Sequence, residues 1–228
     1  MESQDVTALL VSYAYLLGLP LAAVTAHRYL GVKSIFTRKL VIVGTGMWSI
    51  MAVRLFSSWE WAIVPPLTLA FLYYLSYRYD LVEAIEDSQR VNMGLVFFPI
   101  AIALLLGLFW RPGSGQDAGH VAVAALMAAT WGDTVAALIG RRYGTRRYRM
   151  LGHRRTMEGT LALFFVSGVA MAPVLAVMGA IDWHQSVAFA LIAATVVALI
   201  EIVSFYGSDN LTIPLAAAVT LSLLTRLS

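Results

Sequence analysis

Long apolar runs separated by short clusters of charge make up nearly the whole of this chain. They read as about eight spans: Val6–Ala26, Lys39–Ser57, Trp59–Tyr77, Val91–Trp110, His120–Gly140, Thr160–Ala180, Gln185–Phe205 and Leu211–Leu227. Each approaches the roughly 20 residues that cross about 30 Å of hydrocarbon. The apolar positions run continuously rather than alternate, which predicts helices. In lipid, backbone satisfaction leaves helices or closed barrels as the ways across. The second span carries Arg54 and the third Pro65-Pro66, a pair that implies a kink. Seven spans with one half-inserted is the competing count.

Composition agrees: 60% of residues are hydrophobic and 13% charged, far from the soluble average. The expected fold is an all-α, polytopic membrane bundle, read as a single transmembrane domain over residues 1–228. The chain has no cysteine, which excludes disulfides, thiolate metal sites and a cysteine nucleophile. The first apolar run follows Glu2 and Asp5 rather than a basic region, so it reads as a retained helix and not a signal peptide.

Charge placement predicts an orientation. With Met1 outside, the cytoplasmic loops are His27–Arg38, Arg78–Arg90, Arg141–Gly159 and Tyr206–Asn210, and these hold most of the basic residues. Trp59, Trp61 and Trp110 then fall at outer interfaces. Asp80, Glu83, Glu86 and Asp87 read as a solvated face or as partners of Arg78 and Arg90.

Candidate chemistry gathers on that inner side. Asp133 lies within an apolar run, about two turns or roughly 10 Å from its cytoplasmic end. A carboxylate at a helix centre costs roughly 2.5–3.5 kcal/mol on insertion scales, so it has a partner or a function. Gly132, Ala136, Ala137 and Gly140 beside it permit close helix packing and also leave room for a ligand. The loop Arg141–Gly159 follows, with seven arginines in 19 residues: Arg141, Arg142, Arg146, Arg147, Arg149, Arg154 and Arg155. It reads either as a topology determinant touching anionic lipid or as a polyphosphate clamp. Glu158, Glu201, Asp209 and Asn210 fall on the same side; Glu201 reads equally as a structural residue. There is no P-loop, dinucleotide fingerprint, His-Glu-x-x-His or Gly-x-Ser-x-Gly elbow.

Three segments together carry a family likeness. They are Gly132-Asp133-Thr-Val-Ala136 with Gly140-Arg-Arg-Tyr-Gly144, then Arg155-Thr156-Met-Glu158-Gly159-Thr160, then Asp209-Asn210-Leu-Thr-Ile-Pro214-Leu. In that order they resemble the polyprenol kinase family, which takes in dolichol, phytol and CTP-dependent diacylglycerol kinases and is distantly related to phosphatidate cytidylyltransferases. The resemblance covers residues 130–216, the motif-bearing half. Two positions depart from the family pattern: Ile42 stands at a histidine place after Arg38-Lys39, and Arg155 at a lysine place. The late Asp209-Asn210-Leu segment matches the kinases rather than the cytidylyltransferases.

The resemblance implies a kinase that transfers the γ-phosphate of CTP, with Mg²⁺, to a polyprenol-, phytol- or dolichol-like alcohol at the cytoplasmic face. It implies Asp133, Glu158 and Asp209 as catalytic and metal-binding residues. It implies Arg141, Arg142, Arg155, Thr156, Asn210 and the glycines Gly140, Gly144 and Gly159 as phosphate- or nucleotide-binding. Arg38, Lys39 and Glu201 are secondary candidates. The expected partners are a lipid alcohol, a nucleoside triphosphate and the bilayer; nucleic acid is not expected, and a homodimer is allowed. A cytidylyltransferase and a non-enzymatic transporter or lipid-binding protein are the alternatives.

Overall fold

A computed structural model describes residues 3–79, 93–150, 153–204 and 207–227, with backbone alone at 150, 153 and 154. The expected acidic loop at Asp80, Glu83, Glu86, Asp87 and Arg90 lies outside the described residues. The chain is an all-α membrane protein. Among the described residues, six helices are long and apolar enough to cross a membrane. Contacts divide the chain into two compact units, residues 1–117 and 118–228, where the sequence reads as one domain. All three motif segments lie in the second unit.

The first unit holds α1 (Ser3–Leu30), α2 (Ser34–Leu55), α3 (Trp59–Ala62), α4 (Val64–Tyr79) and α5 (Gly94–Phe109). Polar side chains tie α1 to its neighbours: Trp48 Nε1 donates to Ser12 Oγ at 3.0 Å, and Tyr15 Oη donates to the Gly44 carbonyl at 3.1 Å. The buried Asp5 carboxylate accepts from the Ser57 amide and hydroxyl at 2.9 and 2.7 Å. The kink expected at Pro65-Pro66 is a break: α3 ends at Ala62, and the prolines occupy the first turn of α4. There the missing amide protons cost no helical hydrogen bond.

The second unit begins with one long helical segment, Gly119–Tyr143. It comprises α6 (Gly119–Met127), a π-helical turn (Ala128–Asp133) and α7 (Thr134–Tyr143). It packs against α8 (Met157–Met178) and α10 (Asp209–Leu227) and is the most buried span: 72% of its apolar window is buried, against 33% for α8, α10 and α9 (Trp183–Val203). Small residues make this possible, since Ala122, Ala124, Ala125, Ala128 and Ala129 are all fully buried.

The arginine loop is not irregular. It contains an antiparallel hairpin of β1 (Arg147–Met150) and β2 (His153–Thr156), paired Arg147 to Thr156, Tyr148 to Arg155, Arg149 to Arg154 and Met150 to His153. Antiparallel partners share a face and successive residues alternate faces. Tyr148 and Arg155 therefore point one way, and Arg147 and Arg149 the other.

Candidate functional site

The sequence-predicted residues of the three motif segments, with Glu201, lie in the second unit. Asp133 is the last residue of the π turn and is 7% exposed. Such turns widen the helix by one residue and often mark functional positions. The helix runs on past Gly140 to Tyr143, so Arg141 and Arg142 form its last turn, exposed to solvent, and do not begin a loop. Asp133 is accordingly deeper than expected, about 15 Å from the helix end at 1.5 Å per residue. The π turn packs against α8 and α10.

Arg155 is the hub. Its side chain leaves β2 on the inward face and meets the ends of two helices. Nη1 forms a short ion pair with Glu201 Oε1, in the last turn of α9. Nη2 donates to the Ser204 carbonyl at 3.1 Å and lies 3.7 Å from Asp209 Oδ2, in the first turn of α10. The second oxygen of Glu201 accepts from Thr160 Oγ1 at 3.0 Å, and Thr160 Oγ1 lies 2.7 Å from Tyr148 Oη. Since the Thr160 proton is given to Glu201, Tyr148 is the donor to Thr160. Ser204 Oγ and Thr212 Oγ1, 2.8 Å apart, close the α9–α10 junction. Gly207, at φ 86°, supplies the left-handed turn before α10.

Glu158 takes another part. One oxygen accepts from the Thr145 amide at 3.0 Å, the Thr145 hydroxyl at 2.5 Å and the Arg146 amide at 3.1 Å. This carboxylate in the first turn of α8 thus fastens the strand entry that follows α7. Thr156 caps α8, accepting from the Gly159 amide at 3.1 Å.

Gly140, Gly144 and Gly159 lie at the α7–α8 contact. A side-chain carbon on Gly140 would lie 2.8 Å from Thr156 Oγ1; on Gly159, 2.9 Å from the same atom and 3.2 Å from the Ala136 carbonyl. On Gly144 it would collide with the Gly140 carbonyl and Thr156. Gly132 meets Ser167 in the same way. The space a side chain would need is taken by protein, so close packing requires glycine at these positions.

Four buried polar atoms of this unit have no hydrogen-bond partner among the described residues: Thr134 Oγ1, Arg155 Nε, Glu158 Oε2 and Asn210 Oδ1. Buried polar groups are ordinarily hydrogen-bonded, so these four atoms stand out in the unit. Among the described residues no three His, Cys, Asp or Glu side chains gather as a metal site. Asp133, Glu158 and Asp209 therefore form no preassembled cage of three carboxylates. Arg38 and Lys39 lie in α2 of the first unit, half-buried, and Ile42 is in that unit's core. Tyr148 and Ser204 are outside the motif segments, and Thr134 and Thr160 belong to them without an expected role.

These features define a class: a polytopic helical membrane protein with a buried carboxylate–arginine network beneath a basic hairpin. Comparison with known proteins makes it specific. A phytol kinase of Synechocystis sp. is 33% identical over 186 residues, covering 80% of this chain and 76% of the relative. A probable chloroplastic phytol kinase 2 of Glycine max is 25% identical over 98% of this chain and 76% of its own length. Dolichol kinase of Homo sapiens is 30% identical over 57% of this chain and 24% of its own length. The chain belongs to the polyprenol kinase family, with the phytol and dolichol kinases. No family model matches it, and no solved structure does.

Proposed function

We propose that the protein is a lipid-alcohol kinase that transfers the γ-phosphate of CTP to the hydroxyl of a long-chain isoprenoid alcohol at the cytoplasmic face of its membrane. The observation that carries this reading is the meeting of all three motif segments at one end of the second unit, around the Arg155–Glu201–Asp209 network. Family membership supports the kinase; the isoprenoid acceptor follows from the relatives that are phytol and dolichol kinases. The choice of CTP rests on the family resemblance alone, and sidedness on the placement of basic residues.

Phosphoryl transfer asks a protein for position and charge rather than covalent chemistry. The exposed Arg141 and Arg142 are suited to neutralising a triphosphate arriving from water. Asp133 is buried in the helix that most deeply enters the unit, where an apolar acceptor can bring its hydroxyl; it is suited to take the hydroxyl proton. Thr134 Oγ1, next to Asp133 in the chain, and Asn210 Oδ1, next to Asp209, offer polar atoms without a hydrogen-bond partner among the described residues. The donor set of oxygens fits Mg²⁺, which commonly takes one or two carboxylates and completes its shell with water and phosphate. Asp133 and Asp209 would hold it, and it would supply charge neutralisation on the phosphates.

The test is purified protein in detergent with γ-labelled CTP, Mg²⁺ and a panel of lipid alcohols, with Asp133→Asn as control. Label entering the organic phase, and lost in the control, is the expected result and names the acceptor. Pyrophosphate release with phosphatidate, or no transfer from any nucleotide, would refute the assignment.

A further inference from the structure

We infer that Arg155 is a positioning residue: it holds Glu201 and Asp209 in one arrangement across the α9–α10 junction and leaves the phosphate to the exposed arginines. The inference rests on the kinase reading for its catalytic consequence, though not for its structural one.

Six arginines with described side chains lie between Gly140 and Gly159, and they divide sharply. Arg141, Arg142, Arg146, Arg147 and Arg149 are exposed, whereas the Arg155 side chain is only 17% exposed. Hairpin alternation causes the division, since Arg155 shares its face with Tyr148 and opposes that of Arg147 and Arg149. The inward guanidinium is already engaged at its two terminal nitrogens. Its two terminal nitrogens serve Glu201, the Ser204 carbonyl and Asp209, which belong to the end of α9, the residue after it and the start of α10. A planar fork can meet acceptors in separate directions at once; an ammonium is a point charge on a flexible stem. Glu201 is gripped from both sides, by Arg155 on one oxygen and by the Tyr148–Thr160 pair on the other. Both grips come from the hairpin's inward face or from α8 directly behind it. The hairpin thus has two jobs on two faces, with the outward arginines turned to solvent and the inward pair ordering the carboxylates. Arginine at a place where the family pattern has lysine suits this geometry.

The experiment uses the full chain in detergent as wild type, Arg155→Ala, Arg155→Lys and Tyr148→Phe. Amide hydrogen exchange is followed in peptides covering residues 207–212, alongside kcat and KM for CTP with a long-chain alcohol. Positioning predicts exchange at least tenfold faster in both Arg155 variants, with a smaller rise in Tyr148→Phe. It predicts kcat lowered at least tenfold with KM for CTP within threefold of wild type, and partial recovery of Arg155→Ala by added guanidinium but not by methylammonium. A phosphate-binding role predicts unchanged exchange, a KM raised tenfold or more, and near-full rescue by lysine; that pattern would overturn the inference. Should Arg155→Ala not fold, the lysine and Tyr148→Phe variants decide by the same readouts. A wild type with no transferase activity would refute the kinase assignment, and the exchange measurement would still decide for or against the junction role.

Discussion

Gly140→Ala separates a packing role for the motif glycines from a phosphate-binding one. A methyl group there would sit 2.8 Å from Thr156 Oγ1, and the next neighbour, Gly159 Cα, lies at an ordinary 3.6 Å. One atom therefore makes the clash. Thr156 can avoid it only by turning away, which gives up its cap on the Gly159 amide, a loss of about 0.5–2 kcal/mol. Alanine within a helix recovers roughly 0.5–1 kcal/mol over glycine. The single variant should thus be destabilised by up to about 1.5 kcal/mol if Thr156 moves, and by more if overpacking, at roughly 1–3 kcal/mol, is not relieved. Thr156→Ala removes the offending oxygen along with the cap. In that background Gly140→Ala should be stabilising, by roughly 0.5–1 kcal/mol. The sign of the effect inverts, a coupling within the range measured between touching residues. Thermal unfolding of the four proteins in one detergent measures it. An equal cost of Gly140→Ala in both backgrounds would refute the packing argument. So would a stable single variant whose only defect is a raised KM for nucleotide.

Three further outcomes follow from the same geometry. Gly132→Ala should lower turnover at least tenfold by displacing Asp133, because its new methyl meets Ser167 and Leu163; Ser167→Gly should restore part of it, and full activity in the single variant would contradict the close contact. Replacing Arg141 and Arg142 with alanine should raise KM for CTP between about twofold and thirtyfold, as two exposed charges worth roughly 0.2–1 kcal/mol each would give, with kcat little changed; a KM insensitive to both substitution and salt would exclude them as nucleotide contacts. Glu158→Ala should release Thr145 and Arg146, so trypsin should cut at Arg146 and Arg147 several-fold faster, while Glu158→Gln, which keeps an acceptor, should fall between; equal digestion of all three would rule out the fastening role.

The helices were legible because the hydrophobic signal is strong and continuous. The eight expected spans correspond to α1, α2, α3 with α4, α5, the α6–π–α7 segment, α8, α9 and α10. The hairpin was not legible, because arginines occupy both faces of its strands and erase the alternation that marks a half-buried sheet. Asp133 and Glu201 stood out as charges within apolar runs. Thr160, Ser204 and Thr212 did not, since a hydroxyl in a membrane helix can satisfy itself on the carbonyl one turn back, as Ser204 does on Ile200, and so carries no pattern. The glycines were half legible: Gly132, Ala136, Gly140 and Gly144 recur every four residues, the small-residue spacing of close helix pairs. Nothing in that spacing indicates that Thr156 fills the groove.

The distribution of polarity argues for where the chemistry sits. Arg155, Glu158, Glu201 and Asp209 all lie at helix ends or on the hairpin. At such places charges meet free backbone groups, helix dipoles and water, and burial is least costly. Each has a protein partner in the network or at the strand entry. Asp133 is placed elsewhere, ten residues from the end of its largely buried helix, in a π turn that disrupts regular hydrogen bonding. Gly132 beside it is held against Ser167 in the core of α8. A carboxylate that served only to tie helices together would cost less at the ends, where the others are. Its depth is what the proposed reaction would require of the group that meets a hydroxyl whose apolar tail remains among the helices or in lipid.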